Sequence, residues 1–189
     1  MSQSWLRAKL ALIVALLLGV SGCSSIELEE VNPIGVDLSG AWQLDMGASD
    51  EVPDLRNHRS KSDQRRVQRA GRRGIPADFV LGGGSGLSFI RQDFQVLSAK
   101  RLEIEQNRDS MGVRHRPGVY RDISWGERQR GLWEVRAGWE GRELVVISEA
   151  SDLRVFERYA RDDDRLEVNI TVTADDEDFE FLRVFNLTQ

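Results

Sequence analysis

The chain is poor in the residues that most bond-making and metal-binding sites use: among 189 residues there is one cysteine and there are two histidines. A single cysteine, Cys23, excludes an internal disulfide and cysteine-based metal clusters, so the folded part must be held by packing alone. His58 and His115 each have an arginine next to them, Arg59 for the first and Arg114 and Arg116 for the second. Positive neighbours repel a metal cation and lower an imidazole pKa, so both are read as solvated side chains rather than ligands. The glycine run from Gly82 to Gly86 lacks a following Gly-Lys-Ser/Thr and reads as a flexible joint, not a phosphate cradle. Glu103 and Glu105 share a strand face, but it is the face opposite Leu102 and Ile104; exposed carboxylates have no dry pocket in which to act as a pair. No catalytic constellation, metal set or cofactor motif emerges. The expectation is a protein that is not an enzyme and carries no cofactor.

Long apolar runs are also missing. Leu10 to Leu18 is unbroken but falls short of the roughly 20 residues that a membrane-spanning helix needs. With Arg7 and Lys9 before it and Gly19, Ser21 and Gly22 after it, the segment reads as a signal peptide over residues 1–22. Val20-Ser21-Gly22-Cys23 resembles the bacterial lipobox. That resemblance implies a diacylglyceryl thioether on Cys23, which becomes the new amino terminus. With Ser24 rather than Asp beside it, it also implies sorting to the outer membrane on the periplasmic face. Two or three acyl chains anchor stably where one is marginal. Loss of Arg7 and Lys9 makes the −5 balance of the whole chain two charges more negative. Export removes nucleic acid as a partner.

Residues 23–38, polar and acidic with Pro33 and Gly35, read as a lipidated tether, and residues 39–189 as the folded domain. Trp42, Leu44 and Met46 alternate with polar neighbours, as one strand face requires. Alternation recurs at Leu102 and Ile104, Val119 to Ile123, Leu132 to Trp139, Leu144 to Ser148, Leu153 to Tyr159, Leu166 to Thr173 and Phe179 to Leu187. Short turn-like joints separate these segments, among them Asn107-Arg108-Asp109, Glu140-Gly141, Asp162-Asp163-Asp164 and Asp175-Asp176. The pattern predicts an all-β, antiparallel up-and-down barrel of about eight strands with one short helix over Leu87 to Leu97. Tryptophans 42, 125, 133 and 139 are read mainly as core.

Residues 47–86 break the alternation and are read as a long, flexible Arg/Gly-rich insert, disordered or marginally helical. Within it, Arg56, Arg59, Lys61, Arg65, Arg66, Arg69, Arg72 and Arg73 stand against one acid, Asp63. Leu55, Val67 and Ala70 form no apolar stripe, which argues against a membrane-lying helix. The run is a solvated loop or a site for an anionic surface, such as lipid phosphate or lipopolysaccharide.

Asp37-Leu38-Ser39-Gly40-Ala41-Trp42-Gln43-Leu44 resembles the opening of lipocalin-like barrels, whose first strand carries Gly-x-Trp. The order of segments is also similar to small bacterial lipoproteins with a Gly-x-Trp strand, a basic insert, a Leu-Glu-Ile strand (Leu102-Glu103-Ile104) and a terminal Arg-Val-aromatic strand (Arg183-Val184-Phe185). The first resemblance implies that Trp42 closes the barrel floor with an arginine from the last strand across its indole. Arg183, on the face of Phe181 and Phe185, is the candidate. The resemblance further implies a binding module for a small apolar ligand or an envelope component. The alternative is a structural or protein-interaction scaffold with a solid core, and an envelope hydrolase stands third. The volume of the barrel interior separates the first two readings.

Overall fold

The computed structural model describes residues 26–53, 61–74, 90–151, 153–174 and 177–188. Ten strands form one antiparallel sheet: β1 Gly40–Leu44, β2 Arg101–Gln106, β3 Ser110–Arg116, β4 Tyr120–Ser124, β5 Gly126–Arg130, β6 Trp133–Glu140, β7 Glu143–Ala150, β8 Leu153–Asp162, β9 Arg165–Ala174 and β10 Glu177–Leu187. Their order is β4-β3-β2-β1-β10-β9-β8-β7-β6-β5. Every strand therefore pairs with its neighbour in sequence except across one seam, β4 to β5, and the first and last strands join through Trp42 opposite Leu187. The result is a nearly closed up-and-down barrel. It is the expected all-β fold, with ten strands in place of about eight.

The two additional strands have physical reasons for being missed. β5 reads Gly-Glu-Arg-Gln-Arg and has no apolar residue to mark a face. β3 does turn Met111 and Val113 inward, but Gly112 and the polar His115 blur the period of two. Elsewhere the alternation is clear. In β9, Leu166, Val168, Ile170 and Val172 are fully buried, each contributing about 1.5–3 kcal/mol of apolar burial.

The insert is not without structure. Lys61–Gly71 forms an α-helix, α1, consistent with the high helix propensity of its Gln, Arg and Ala residues. The helix expected over Leu87 to Leu97 is shorter within the described residues: α2, Ile90–Asp93, runs into a 3-10 turn at Gln95–Leu97. Ile90, Phe94, Val96 and Leu97 are buried and join the core, so this segment plugs part of one barrel end. Residues 1–25, with Cys23, lie outside the described residues, as do Arg56, Arg59, His58 and the glycine run.

The two ends differ. At one, the floor, lie the β2–β3, β4–β5, β6–β7 and β8–β9 turns and the entry to β1. At the other, the mouth, lie α2, the β3–β4 turn at Pro117–Val119 and the β5–β6 turn at Gly131–Leu132. Residues 26–38, expected to be a free tether, are instead docked as a strap across the floor. Glu29 exchanges two backbone hydrogen bonds with Trp139, at 2.9 and 2.8 Å, on the edge that β6 exposes beyond its pairing with β5. Asn32 Oδ1 accepts from both Trp125 Nε1 (2.9 Å) and Trp139 Nε1 (3.1 Å), and its Nδ2 donates to the Asn107 carbonyl. Leu38 is wholly buried, and Gln106 brackets it by accepting from its N–H and donating to the Val36 carbonyl.

Candidate functional site

Trp42 is wholly buried at the floor, and its indole N–H donates to the Leu38 carbonyl at 3.0 Å. The cation over its ring is Arg161 of β8, at 5.1 Å from the centroid, and not Arg183 as expected. The register explains the correction. Trp42 faces Leu187, so Arg183 sits four residues further along β10. There its Nη1 donates to the Asp50 carbonyl at 2.9 Å. Arg183 is nonetheless on the predicted inward face and is buried. Burial and the nearby Arg91 depress its pKa, with Asp50 opposing.

Around the floor the barrel is filled by Trp42, Trp139, Tyr159, Leu166 and Phe185. Towards the mouth, on the β3 to β7 side, it is hollow. A cavity of about 500 Å³ lies beside the plug formed by α2, within the size range of small-molecule sites. Its apolar wall is Phe94, Val119, Leu132, Trp133 and Val135. Phe94 and Trp133 meet edge to face at 4.9 Å. Trp133 Nε1 also donates to Asp93 at 2.9 Å, and the Val119 N–H donates to Gln95 Oε1 at 2.6 Å. The plug is thus latched to the β3–β4 turn and to the start of β6.

The polar wall comes from inward positions of three strands: His115 on β3, Arg121 on β4 and Ser148 on β7. Their residue exposures are 1%, 3% and 1%. Arg121 Nη1 reaches both oxygens of Glu157 on β8, at 2.8 and 2.7 Å, and Glu157 also accepts from Tyr159 OH at 3.0 Å. The guanidinium lies 5.4 Å from the Phe94 ring centroid. Burial pushes the Tyr159 hydroxyl well above its ordinary range, reinforced by the Glu157 charge. Burial acts to lower the Arg121 pKa, but Glu157 and Tyr159 outweigh it and the net shift is upward. The pair is therefore an internal, neutralised ion pair.

His115 corrects the reading of a solvated imidazole. Its Nδ1 lies 3.1 Å from the Val119 carbonyl, a partner that only accepts, which makes Nδ1 the protonated nitrogen and Nε2 the lone pair. Burial holds its pKa below the ordinary value, the Val119 contact opposing and Arg121 adding to the effect. Three buried polar atoms around this cavity, His115 Nε2, Arg121 Nε and Ser148 Oγ, have no hydrogen-bond partner in the protein. A buried polar group left in that condition costs about 1–3 kcal/mol. Of the five such atoms among the described residues, three belong to residues of this wall.

The other candidates lie elsewhere. Glu103 is on the outer face among Arg101, Arg114 and Arg116, at 3.8, 3.5 and 3.7 Å, a surface charge cluster. Arg65, Arg69, Arg72 and Arg73 are exposed on and just after α1. Lys61 and Arg66 belong to α1 by backbone. Among the described residues no group of three His, Cys, Asp or Glu side chains could hold a metal ion.

No family model matches the chain, and no curated relative does. Solved structures with a similar chain path include the REP1-NXSQ fatty acid transporter, with TM-score 0.48 and 15% identity over 81% of this chain and 97% of its own. Echinococcus granulosus fatty-acid-binding protein 1 gives TM-score 0.47 and 11% identity over 80% and 98%. Human cRBP IV gives 0.45 and 17% over 80% and 98%. The fold described above stands on its own strand pairing.

Proposed function

We propose that this protein is a lipid-anchored envelope protein, without catalytic activity, whose barrel takes up a small, largely apolar molecule through its mouth. The observation that carries the binding reading is the mouth cavity of about 500 Å³, walled by aromatic and aliphatic side chains and by three buried polar atoms without partners. A barrel serving only as a scaffold has no use for that hollow, although the filled floor suits a mechanical role for the other end. The anchoring part of the reading rests on Val20 to Cys23 and the leader before it. It places the chain on the periplasmic face of the outer membrane, tethered through Cys23. The exposed arginines of α1 supply a second, electrostatic contact for an anionic partner such as lipid phosphate or lipopolysaccharide.

One experiment addresses both parts: native and denaturing mass spectrometry of the full chain extracted from its own cells. The expected results are a mature mass beginning at Cys23 with acyl chains attached, and a retained small molecule lost on denaturation. A chain that keeps residues 1–22 without lipid overturns the anchor. A chain that retains nothing and also fails to bind amphipathic probes overturns the ligand.

A further inference from the structure

The two turns that flank the mouth carry apolar side chains that the fold does not require. β5 and β6 are joined by the two-residue turn Gly131-Leu132. Gly131 has φ +59°, as the first central position of a tight hairpin turn demands, and the second position ordinarily takes a polar residue such as Asn or Ser. It is instead Leu132, 82% exposed. On the other side the turn Pro117–Val119 leads into β4, leaving Val119 60% and Tyr120 51% exposed. None of the three belongs to the buried core. Val119 and Leu132 line the same cavity, so the two turns are facing lips of one opening. A single exposed apolar residue needs no explanation, but a group of them at one rim does.

The lips are also positive. Exposed Lys100, Arg101, Arg114, Arg116, Arg128 and Arg130 lie on or beside the strands that carry the two turns, and they outnumber the acids among them, Asp93, Glu103, Asp122 and Glu134. Glu103 alone is shared by Arg101, Arg114 and Arg116. Arg128 and Arg130 form no ion pair among the described residues. The β7 to β10 side of the same end carries Glu149, Glu177 and Asp178 instead. The positive charge is therefore confined to the lips.

We infer that the lips of the mouth are a docking surface for an anionic lipid bilayer, with Leu132, Val119 and Tyr120 entering the interface and the arginines behind them meeting lipid phosphate. The cavity opening lies between the lips, so a protein partner would need a matching ridge to bury them, whereas a fluid interface closes around separate tips. Arginine suits this position, since its stem lies along apolar surface while its guanidinium reaches the phosphates. Tyr120, with Arg114 at 5.9 Å from its ring centroid, has the amphipathic character found at headgroup level. The strap crosses the opposite end of the barrel, so the bilayer met by the lips is a second one and not a membrane that holds the amino terminus. The inference is independent of what the cavity takes up.

The test is vesicle bridging. The full chain is fixed by an amino-terminal histidine tag to phosphatidylcholine vesicles that contain nickel-chelating lipid and a donor dye. Protein-free vesicles with an acceptor dye are then added, made either of phosphatidylcholine alone or of phosphatidylcholine mixed with phosphatidylglycerol. Energy transfer is expected with the anionic vesicles, is expected to be absent with the neutral ones, and should fall as salt screens the arginines. Leu132→Asn combined with Val119→Ser should raise the anionic-vesicle concentration for half-maximal transfer by about tenfold or more, the worth of one apolar side chain withdrawn from the interface. Arg116→Gln and Arg130→Gln should raise it by about fivefold for each cation removed. Asn is a residue the turn favours, so the first variant keeps its fold, which circular dichroism checks. No bridging of anionic vesicles, or equal bridging of neutral ones, overturns the inference. Bridging that survives in both lip variants but is lost on Arg65→Gln, Arg69→Gln, Arg72→Gln and Arg73→Gln together also overturns it, and assigns the contact to α1.

Discussion

At the scale of single residues, the polar groups inside the barrel are held by position rather than by number. Arg161 lies over Trp42 and also donates to the Asp37 carbonyl at 2.6 Å, so one guanidinium ties the floor tryptophan to the strap. A double-mutant cycle of Trp42→Phe and Arg161→Met should show coupling of about 0.5–2 kcal/mol in urea unfolding. The same cycle with Arg183→Met should be additive, because Arg183 sits four residues along β10 from Trp42's partner. Coupling to Arg183 but not to Arg161 would return the floor to the arrangement expected from sequence. His115 gives a pH signature. Its folded pKa is lowered by burial, so the unfolded chain takes up the proton first as pH falls. The contribution of neutral His115 is therefore complete above its ordinary value of 6.5 and is lost as pH drops below it towards the lowered value. The urea midpoint should decline over that window, and His115→Gln should flatten the decline. An unchanged slope in the variant would place the dependence on other groups.

At the scale of elements, what the sequence reveals is which face each residue takes, and what it conceals is how far along the barrel each face sits. The phase of β9 is legible because its apolar residues Leu166, Val168, Ile170 and Val172 alternate without a gap. The site itself left a readable trace: His115, Arg121, Ser148 and Glu157 are polar residues standing at inward phase beside Val113, Ile123, Val146 and Val155. A polar residue in that position needs a partner inside. Pairing Arg121 with Glu157 required the closure of the sheet, which brings strands far apart in the sheet order face to face, and local pattern carries no such information. The docked strap was illegible for a related reason. Nothing in residues 26–38 announces a strand, since Glu29 finds its pair only on the edge that β6 leaves free beyond Ala137. Gly138 makes the strap possible. A Cβ there would come within 2.8 Å of both the Glu29 carbonyl oxygen and Leu28 Cβ. Gly138→Ala should therefore lift the strap, at a cost of about 1–3 kcal/mol as overpacking typically imposes. The measurement is limited proteolysis, with cleavage within residues 26–36 speeding up while the barrel core stays resistant. Unchanged cleavage would show that the strap tolerates the added methyl.

At the scale of the whole molecule, the strap and the proposed lipid on Cys23 together give the barrel an expected orientation. Only three residue steps separate Cys23 from Ile26, a reach of at most about 10 Å, and from there the chain runs across the floor. Strands of up to 11 residues, tilted as barrels require, put the mouth roughly 25 Å or more beyond it. The anchored domain should thus stand floor-down, with Val31 and Ile34, exposed apolar residues of the strap, nearest the bilayer and the cavity opening away from it. The basic insert leaves β1 at the mouth end too, after residues 45–50 have followed β10 through the Asp45 to Val184 and Asp50 to Leu182 hydrogen bonds. The check uses the native lipidated protein in vesicles with one added cysteine, at Ile34 or at Leu132, both highly exposed at 98% and 82%, each labelled with a fluorophore. Lipids bearing a short-range quencher in the headgroup should quench the label at position 34 strongly and the label at position 132 hardly at all. Equal quenching at both positions would lay the barrel on its side, and stronger quenching at 132 would turn its mouth to the membrane.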